Sequence, residues 1–299
     1  MSCRHRYTVS VDGASLAFWD EGEGPVVVLT NGFANTTLYW EPVRQRLRNN
    51  WRVIRWDLRG HGQSGAVRDR ETMTIAGCAD DLRRVMDAAG VDKAVLAGFS
   101  LGCQIVLEAW RHFPERIDGL VPALGPCERP FDTLIHPAVG PLVYELYKAV
   151  PSSIWGTGLK LGALGSWLKP VHAVAKKIGF VGVDVSLAEM KPFYTHLAGI
   201  DIPSWYLLGL AAQQHSARDV LGDIEVPTLV VAGGSDRFSP GELGRQIAGE
   251  IPQARLLWLE DATHTGLFDE RKRISDAFER FMQQVYGEPT TIQKAAGGE

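Results

Sequence analysis

The sequence predicts an α/β protein, with a mostly parallel twisted sheet flanked by helices and one inserted helical segment. Three observations predict this fold class. Short apolar runs without alternation recur along the chain, as in strands buried on both faces. Helical patterns separate these runs, which is typical of a parallel sheet. The alternation stops between about residues 127 and 222, a stretch rich in Gly and Trp without a strand pattern.

The predicted elements begin with a hairpin. Residues 7–22 (YTVSVDGASLAFWDEG) alternate on both sides of Asp12-Gly13, a strong turn signal. Six buried strands follow, at 25–30, 52–58, 93–99, 119–124, 228–234 and 254–260. The clearest helical patterns cover 74–90, 101–113, 241–251 and 271–286. We therefore predict three parts, which are a core of residues 1–126 and 223–287, a helical cap of residues 127–222, and a flexible tail of residues 288–299.

The composition excludes several classes of protein. The chain has 299 residues and a formal net charge of −4, so one large domain with an insertion is expected and a nucleic-acid partner is not. Its 4 cysteines show neither a CxxC pair nor disulfide-like or zinc-like spacing, which favours reduced thiols in a cytoplasmic protein. No apolar run reaches the roughly 18 residues of a membrane span. We expect no metal and no cofactor, and the sequence does not indicate the oligomeric state.

A serine lies between two glycines at one strand-to-helix junction. The segment Gly98-Phe99-Ser100-Leu101-Gly102 joins a buried strand to a helical pattern. Glycines allow a tight turn that exposes the hydroxyl, and the N-terminus of the following helix favours a developing anion. The G-x-S-x-G string is common by itself, but this context is that of a nucleophile elbow. We therefore predict that Ser100 is a catalytic nucleophile.

The chain also supplies a base and an acid, in the order serine, acid, histidine. Asp236 follows the buried strand at 228–234, and His264 follows the one at 254–260. Parallel strands bring such positions to the same edge of a sheet, where open α/β sheets place their sites. Taken singly, Asp236 is also explained as a turn-forming aspartate, and His264 as a loop histidine. Together with Ser100 they predict a catalytic triad.

These residues resemble those of the α/β-hydrolase superfamily, and the resemblance runs from about residue 7 to 285, weakest across the cap. The segment RWDLRGHGQS (55–64) is similar to the D-x-R-G-x-G-x-S segment of many members. The resemblance implies that Asp57 and Arg59 are structural and stabilise the loop after a core strand. It places His61, the rival candidate for the base, in the same structural loop.

The resemblance also implies an oxyanion hole. One donor is the backbone N–H of Leu101, directly after the nucleophile. The other comes from the loop after strand 25–30, where Asn31-Gly32-Phe33 replaces the usual His-Gly and donor residue. We expect the Phe33 N–H to donate, because a backbone donor does not depend on the side chain. Asn31 either supports the site, by bracing this loop or directing its amide toward the pocket, or is a turn-favouring residue without a catalytic part.

The identity of the nucleophile selects the chemistry. Haloalkane dehalogenases and epoxide hydrolases of the superfamily attack with aspartate, whereas this position is Ser100. Some members place the acid after an earlier strand, which points here to Glu128, but Asp236 matches the pattern better. We predict carboxylic ester hydrolysis through an acyl-enzyme. Carbon–carbon hydrolysis, lactone hydrolysis and serine haloperoxidase or perhydrolase activity are alternatives within this fold, and a non-catalytic ligand-binding protein is an alternative of another class.

The predicted cap is where substrate choice is expected. Trp155, Trp167 and Trp205 provide apolar surface for a hydrophobic substrate, or they form only the core of the cap. Between Glu145 and Asp184 there is no acidic residue, while five are lysines, namely Lys148, Lys160, Lys169, Lys176 and Lys177. This segment is either a solvated basic face or one that makes weak contact with an anionic lipid surface.

Overall fold

The computed structural model describes residues 3–162 and 168–289. Its centre is a sheet of eight strands in the order β1-β2-β4-β3-β5-β6-β7-β8, antiparallel at β1–β2 and β2–β4 and parallel elsewhere. The strands are β1 (Arg4–Val9), β2 (Ser15–Glu21), β3 (Val26–Thr30), β4 (Arg52–Trp56), β5 (Ala94–Phe99), β6 (Ile117–Ala123), β7 (Thr228–Gly233) and β8 (Ala254–Leu259). The predicted fold class is confirmed.

Helices connect the parallel strands and cover the sheet. They are α1 (Glu41–Leu47), α2 (Ile75–Ala89), α3 (Gly102–His112), α4 (Gly140–Ala149), α5 (Ser152–Gly162), α6 (Leu168–Lys177), α7 (Leu187–Gly199), α8 (Ile202–Gln214), α9 (Gly241–Glu250), α10 (Gly266–Asp269) and α11 (Arg271–Tyr286). None of the described helices is long and apolar enough to cross a membrane.

Two apolar layers hold the sheet between its helices. Along β3, Val28 belongs to the layer under α2, α3 and α9, while Val27 and Leu29 belong to the layer under α1 and α11. Successive side chains of a strand point to opposite faces, so β3 contributes to both layers. All five residues of β3 are buried. This burial explains why β3 appears in the sequence as a continuous apolar run.

The stretch between β6 and β7 contains α4 to α8 and no strand within its described residues. Its two ends meet, because Glu128 and Ser216 form an isolated antiparallel bridge. On either side of this bridge, the Ala217 N–H donates to the carbonyl oxygen of Cys127 (3.0 Å) and the Arg129 N–H to that of His215 (3.3 Å). The division into core, cap and tail remains our interpretation, and residues 290–299 of the predicted tail lie outside the described residues.

Candidate active site

Ser100 occupies a sharp corner between β5 and α3, with a left-handed φ of 54°. The two flanking glycines are required by close backbone contacts. A Cβ on Gly98 would lie 2.1 Å from the carbonyl oxygen of Gly102, and a Cβ on Gly102 would lie 2.7 Å from that of Thr30. Real Cβ atoms do not approach backbone so closely, so only glycine fits at either position. The Ser100 N–H donates to the carbonyl oxygen of Ala123 on β6, at 3.0 Å, which anchors the corner to the sheet.

Three predicted side chains form a continuous hydrogen-bonded chain. The Nε2 atom of His264 lies 3.0 Å from the Oγ of Ser100, and its Nδ1 lies 2.9 Å from Oδ2 of Asp236. The other carboxylate oxygen of Asp236 accepts N–H bonds from Phe238 and Ser239, each 2.8 Å long. A carboxylate can only accept, so Nδ1 carries the donated hydrogen and Nε2 is left to accept the Ser100 proton. This is the arrangement in which a serine hydroxyl is activated.

Two backbone N–H groups beside Ser100 have no acceptor among the described hydrogen bonds. They belong to Leu101, immediately before the first residue of α3, and to Phe33, in the loop after β3. Gly32 brings this loop against the nucleophile, because a Cβ there would lie 2.8 Å from the Cβ of Ser100. Unpaired donors at a helix N-terminus suit a developing oxyanion.

Asn31 braces the loop and does not direct its amide into the pocket. Its side chain is fully buried and is not part of the cavity wall. Its Nδ2 donates to the carbonyl oxygen of Trp56 at 2.7 Å and to Oδ1 of Asp57 at 3.3 Å. The amide therefore ties the end of β3 to the end of β4, and the interpretation of Asn31 as a donor toward the pocket is wrong.

His61 has a structural position. Its Nδ1 lies 2.9 Å from the carbonyl oxygen of Arg59, and its Nε2 accepts the N–H of Ala34 at 3.2 Å. Burial lowers the pKa of His61 to about 4, so the imidazole is neutral at pH 7. Nδ1 thus fixes the ring on its own loop, and Nε2 holds the loop that carries Phe33.

Glu128 lies on the bridge between the two ends of the helical stretch. Its carboxylate accepts from Nε of Arg218 at 2.6 Å and from the hydroxyl of Ser216 at 2.7 Å. No hydrogen bond joins Glu128 to His264 in the described structure. Asp236 is thus the acid that contacts the imidazole.

The segment at 55–64 carries buried polar side chains that fix its own loop. The Arg59 guanidinium is fully buried and forms ion pairs with Asp81 (2.7 Å) and Asp12 (3.1 Å). Asp57 accepts the N–H of Gln63 at 3.0 Å, and burial raises the pKa of Asp57 to about 6. These contacts join the loop to the β1–β2 turn and to α2.

A cavity of about 520 Å³ opens beside Ser100 and His264. None of the residues that line it is Asp, Glu, Lys or Arg, and most are aliphatic or aromatic. The wall combines the residues at the sheet edge with others from α5 to α8. Its lining residues are Phe33, Ala34, Asn35, Ser100, Leu101, Pro126, Pro130, Phe131, Leu134, Leu159, Val171, Val174, Ala175, Ile178, Phe180, Phe193, Tyr194, Leu197, Trp205, Gly209, Ala212, Phe238, Ser239 and His264.

The three predicted tryptophans have different positions. Trp205 lines the cavity and stacks on Phe33, with ring centroids 5.3 Å apart. Trp155 is not part of the cavity wall; its indole packs 6.3 Å from that of Trp205 and donates its Nε1–H to the carbonyl oxygen of Tyr147 at 3.3 Å. Trp155 thus packs in the core of the cap, the second of the two interpretations, and not on the cavity wall. Trp167 lies outside the described residues.

Sequence reasoning missed two residues that shape the site. Gly125 follows β6, and a Cβ there would lie 2.1 Å from the carbonyl oxygen of Ser100 and 2.6 Å from Sγ of Cys103. Asn35 lines the cavity and is 2% exposed. A glycine just after a buried strand was the available signal for Gly125, whereas nothing local marks Asn35.

Comparisons with known proteins agree with this geometry. Residues 25–138 match the family profile described as the alpha/beta hydrolase fold. The RutD protein of Azorhizobium caulinodans, whose name proposes carbamate hydrolase activity, is 29% identical in an alignment of 259 positions that covers 84% of this chain and 88% of RutD. A crystal structure of a hydrolase from Pseudomonas aeruginosa aligns with a TM-score of 0.72 and 25% identity, covering 93% of this chain and 98% of that one. An esterase from Exiguobacterium antarcticum aligns with a TM-score of 0.75 and 21% identity, covering 94% and 100%.

Proposed function

We propose that this chain, which has the α/β-hydrolase fold, is a serine hydrolase that cleaves carboxylic esters of small to medium hydrophobic substrates. The observation that carries this proposal is the hydrogen-bonded chain from Ser100 through His264 to Asp236 beside an apolar cavity. A ligand-binding protein of this fold has no need of a nucleophile joined to a base and an acid.

The reaction follows from the geometry. Ser100 Oγ attacks the ester carbonyl while His264 Nε2 accepts the hydroxyl proton, and Asp236 stabilises the imidazolium that forms. The N–H groups of Leu101 and Phe33 donate to the tetrahedral oxyanion. His264 then returns the proton to the leaving alcohol, which leaves an acyl group on Ser100. Water, activated by the same imidazole, releases the carboxylic acid.

The cavity wall supports an uncharged acyl or alcohol group. The described lining of the cavity contains no charged side chain, so nothing in it would offset the cost of burying a charged substrate group. Each buried methylene contributes about 0.8 kcal/mol of transfer free energy. Carbamates and lactones carry the same kind of reacting carbonyl, and the likeness to RutD makes carbamate cleavage the second candidate.

An ester series tests the apolar cavity. We expect kcat/KM for p-nitrophenyl esters to rise by up to about tenfold at each step from acetate to butyrate to hexanoate, because two methylenes add about 1.6 kcal/mol of burial, and to level off once the cavity is full. The measurement is initial rates below the solubility limit of each ester, with Ser100→Ala to subtract the background. Efficiency that is flat or falls from acetate onward would overturn the apolar-site proposal.

A fluorophosphonate label tests the nucleophile independently of substrate choice. One equivalent should attach, at Ser100, because only an activated hydroxyl reacts quickly. Labelling requires the neutral imidazole of His264, because a protonated ring cannot accept the serine proton. Peptide mapping by mass spectrometry identifies the labelled residue. A protein that binds apolar ligands but never takes the label would belong to the non-catalytic alternative.

We further propose that the described cap surface makes weak contact with an anionic lipid surface. Several exposed apolar side chains lie on α4 to α6, and Val174 is 56% exposed while also lining the cavity. Lys160, Lys169 and Lys177 have no ion-pair partner among the described residues, so their charges are available to lipid headgroups. An apolar substrate would then pass from lipid to the cavity at Val174.

Vesicle sedimentation tests this contact. Wild-type protein should bind phosphatidylglycerol vesicles more tightly than phosphatidylcholine vesicles, and added salt should weaken the binding. Reversing two charges in Lys169→Glu/Lys177→Glu should reduce the partition coefficient by about tenfold or more, at about 1 kcal/mol per lysine. The matched control is Lys93→Glu, an exposed charge just before β5 at the opposite edge of the sheet. Equal binding to both vesicle types would argue against the contact.

We also propose that the protein acts in the cytoplasm. Cys78, Cys103 and Cys127 are buried and free, and burial raises the pKa of each thiol, to about 12 for Cys78 and about 11 for Cys127. Inert buried thiols suit a reducing compartment.

A further inference from the structure

Asn35 is a buried polar residue in a cavity wall that is otherwise mostly apolar. Its Oδ1 atom is buried and has no hydrogen-bond partner among the described residues. Of the described side chains with such an unpaired atom, Asn35 is the one that also lines the cavity. A buried amide oxygen without a partner carries a desolvation cost that no contact offsets, and in native structures such atoms are few and tend to have a function.

The backbone around Asn35 does not need its side chain. The Asn35 N–H donates to the carbonyl oxygen of Gly32 at 3.3 Å, and the preceding residue, Ala34, donates its N–H to His61 Nε2 at 3.2 Å. Together with the Asn31 amide, these bonds fix the loop after β3. The side chain of Asn35 is therefore held beside the cavity by contacts in which its amide oxygen takes no part.

We infer that Asn35 is a specificity-determining residue, whose amide binds a hydroxyl or amide N–H of the substrate a few bonds from the reacting carbonyl. The position follows from the chain, because Asn35 is two residues after Phe33, the proposed oxyanion donor. An amide offers an acceptor and a donor, and half a turn about its Cβ–Cγ bond exchanges them. Neither end of the Asn35 amide has a described hydrogen-bond partner, so a substrate hydroxyl, which donates to the oxygen or accepts from the nitrogen, satisfies it in either orientation.

The favoured substrate is therefore an apolar chain that carries one hydroxyl group near the ester, rather than a plain alkyl ester. A site with a buried polar group rejects analogues that lack the matching group more strongly than an apolar site rejects an extra methylene. This inference rests on the proposed function for the location of the reacting ester, but the binding preference does not require catalysis.

Ligand binding tests it without turnover. Octan-2-one and its 1-, 3- and 4-hydroxy derivatives compete with the fluorescent apolar dye N-phenyl-1-naphthylamine for the cavity, and ketones are not cleaved by ester hydrolysis. Wild-type protein should bind at least one hydroxy ketone more tightly than hydrophobicity predicts. Asn35→Leu, of similar size and without the amide, should weaken that ligand by about tenfold and leave octan-2-one within about twofold.

Ser275→Ala is the matched control, because Ser275 also has a buried oxygen without a described partner but does not line the cavity. It should leave all four affinities unchanged. Affinities in the wild type that follow hydrophobicity alone, or an equal change for every ketone in Asn35→Leu, would overturn the inference. A protein that prefers a hydroxy ketone but takes no fluorophosphonate label would contradict the proposed function and leave this inference standing.

Discussion

Replacing Ser100 with alanine should lower kcat for ester hydrolysis by about 10⁴-fold or more, and Asp236→Asn should lower it by a similar order. The alanine variant lacks the nucleophile. The asparagine variant can donate from its own amide to Nδ1, which favours the wrong tautomer of His264 for accepting the serine proton. Steady-state kinetics with a short p-nitrophenyl ester measures both effects, and circular dichroism checks that the variants are folded.

The double variant and one control make this prediction specific. Because the three residues act as a unit, Ser100→Ala/Asp236→Asn should be about as slow as Ser100→Ala alone. Glu128→Gln is the control for the acid, since Glu128 pairs with Arg218 and not with His264. It should keep kcat within about twofold. A fully active Asp236→Asn enzyme, with loss of activity in Glu128→Gln, would reverse the assignment of the acid.

Adding one methyl group at Gly98 should damage both the fold and the site. The new Cβ would lie 2.1 Å from the carbonyl oxygen of Gly102 and 2.8 Å from the backbone nitrogen of Cys103, so the end of β5 or the start of α3 has to move. We expect Gly98→Ala to lower the free energy of unfolding by about 3 kcal/mol or more. Displacement of Ser100 should cost a further 10²-fold or so in kcat/KM. Urea unfolding and ester kinetics measure the two effects.

A glycine in open space supplies the comparison. Gly249 lies in α9, and a Cβ there would meet no atom within 4 Å. Gly249→Ala should therefore leave kcat/KM unchanged and raise the free energy of unfolding by about 0.5 to 1 kcal/mol, because alanine loses less entropy in a helix. If both alanine variants behaved alike, the backbone contact at Gly98 would not be what fixes the elbow. Insolubility of Gly98→Ala alone would support the prediction.

The sequence was sufficient to predict the fold class and to select the side chains that meet at the sheet edge. Strands buried on both faces leave continuous apolar runs, and the edge at which parallel strands end follows from their direction. Ser100 and Asp236 each follow such a strand, so their order along the chain was informative. The prediction of a buried strand before His264 is wrong, because β8 lies at the edge of the sheet and only Leu259 on it is buried.

Other features of the site depend on contacts between distant parts of the chain, so the local sequence did not decide them. The sequence did not decide the role of the Asn31 amide, because its partner, the carbonyl oxygen of Trp56, belongs to another strand. Trp155 and Trp205 are both tryptophans of the predicted apolar cap, so the sequence does not distinguish them. The packing of α5 on α8 decides which indole reaches the cavity. Glycine is required at position 125 because Ser100 and Cys103, which follow the neighbouring strand β5, lie too close to leave room for a Cβ atom.

The bridge between Glu128 and Ser216 has a consequence for how this molecule can diversify. The two ends of the helical stretch are paired with each other where β6 and β7 lie side by side. We expect a different connection between these two residues to preserve that pairing, provided that it replaces the core contacts of Leu208 and Ala212 on α8. Substrate range can then change by replacement of one continuous stretch of gene, while Ser100, Asp236 and His264 keep their places at the sheet edge.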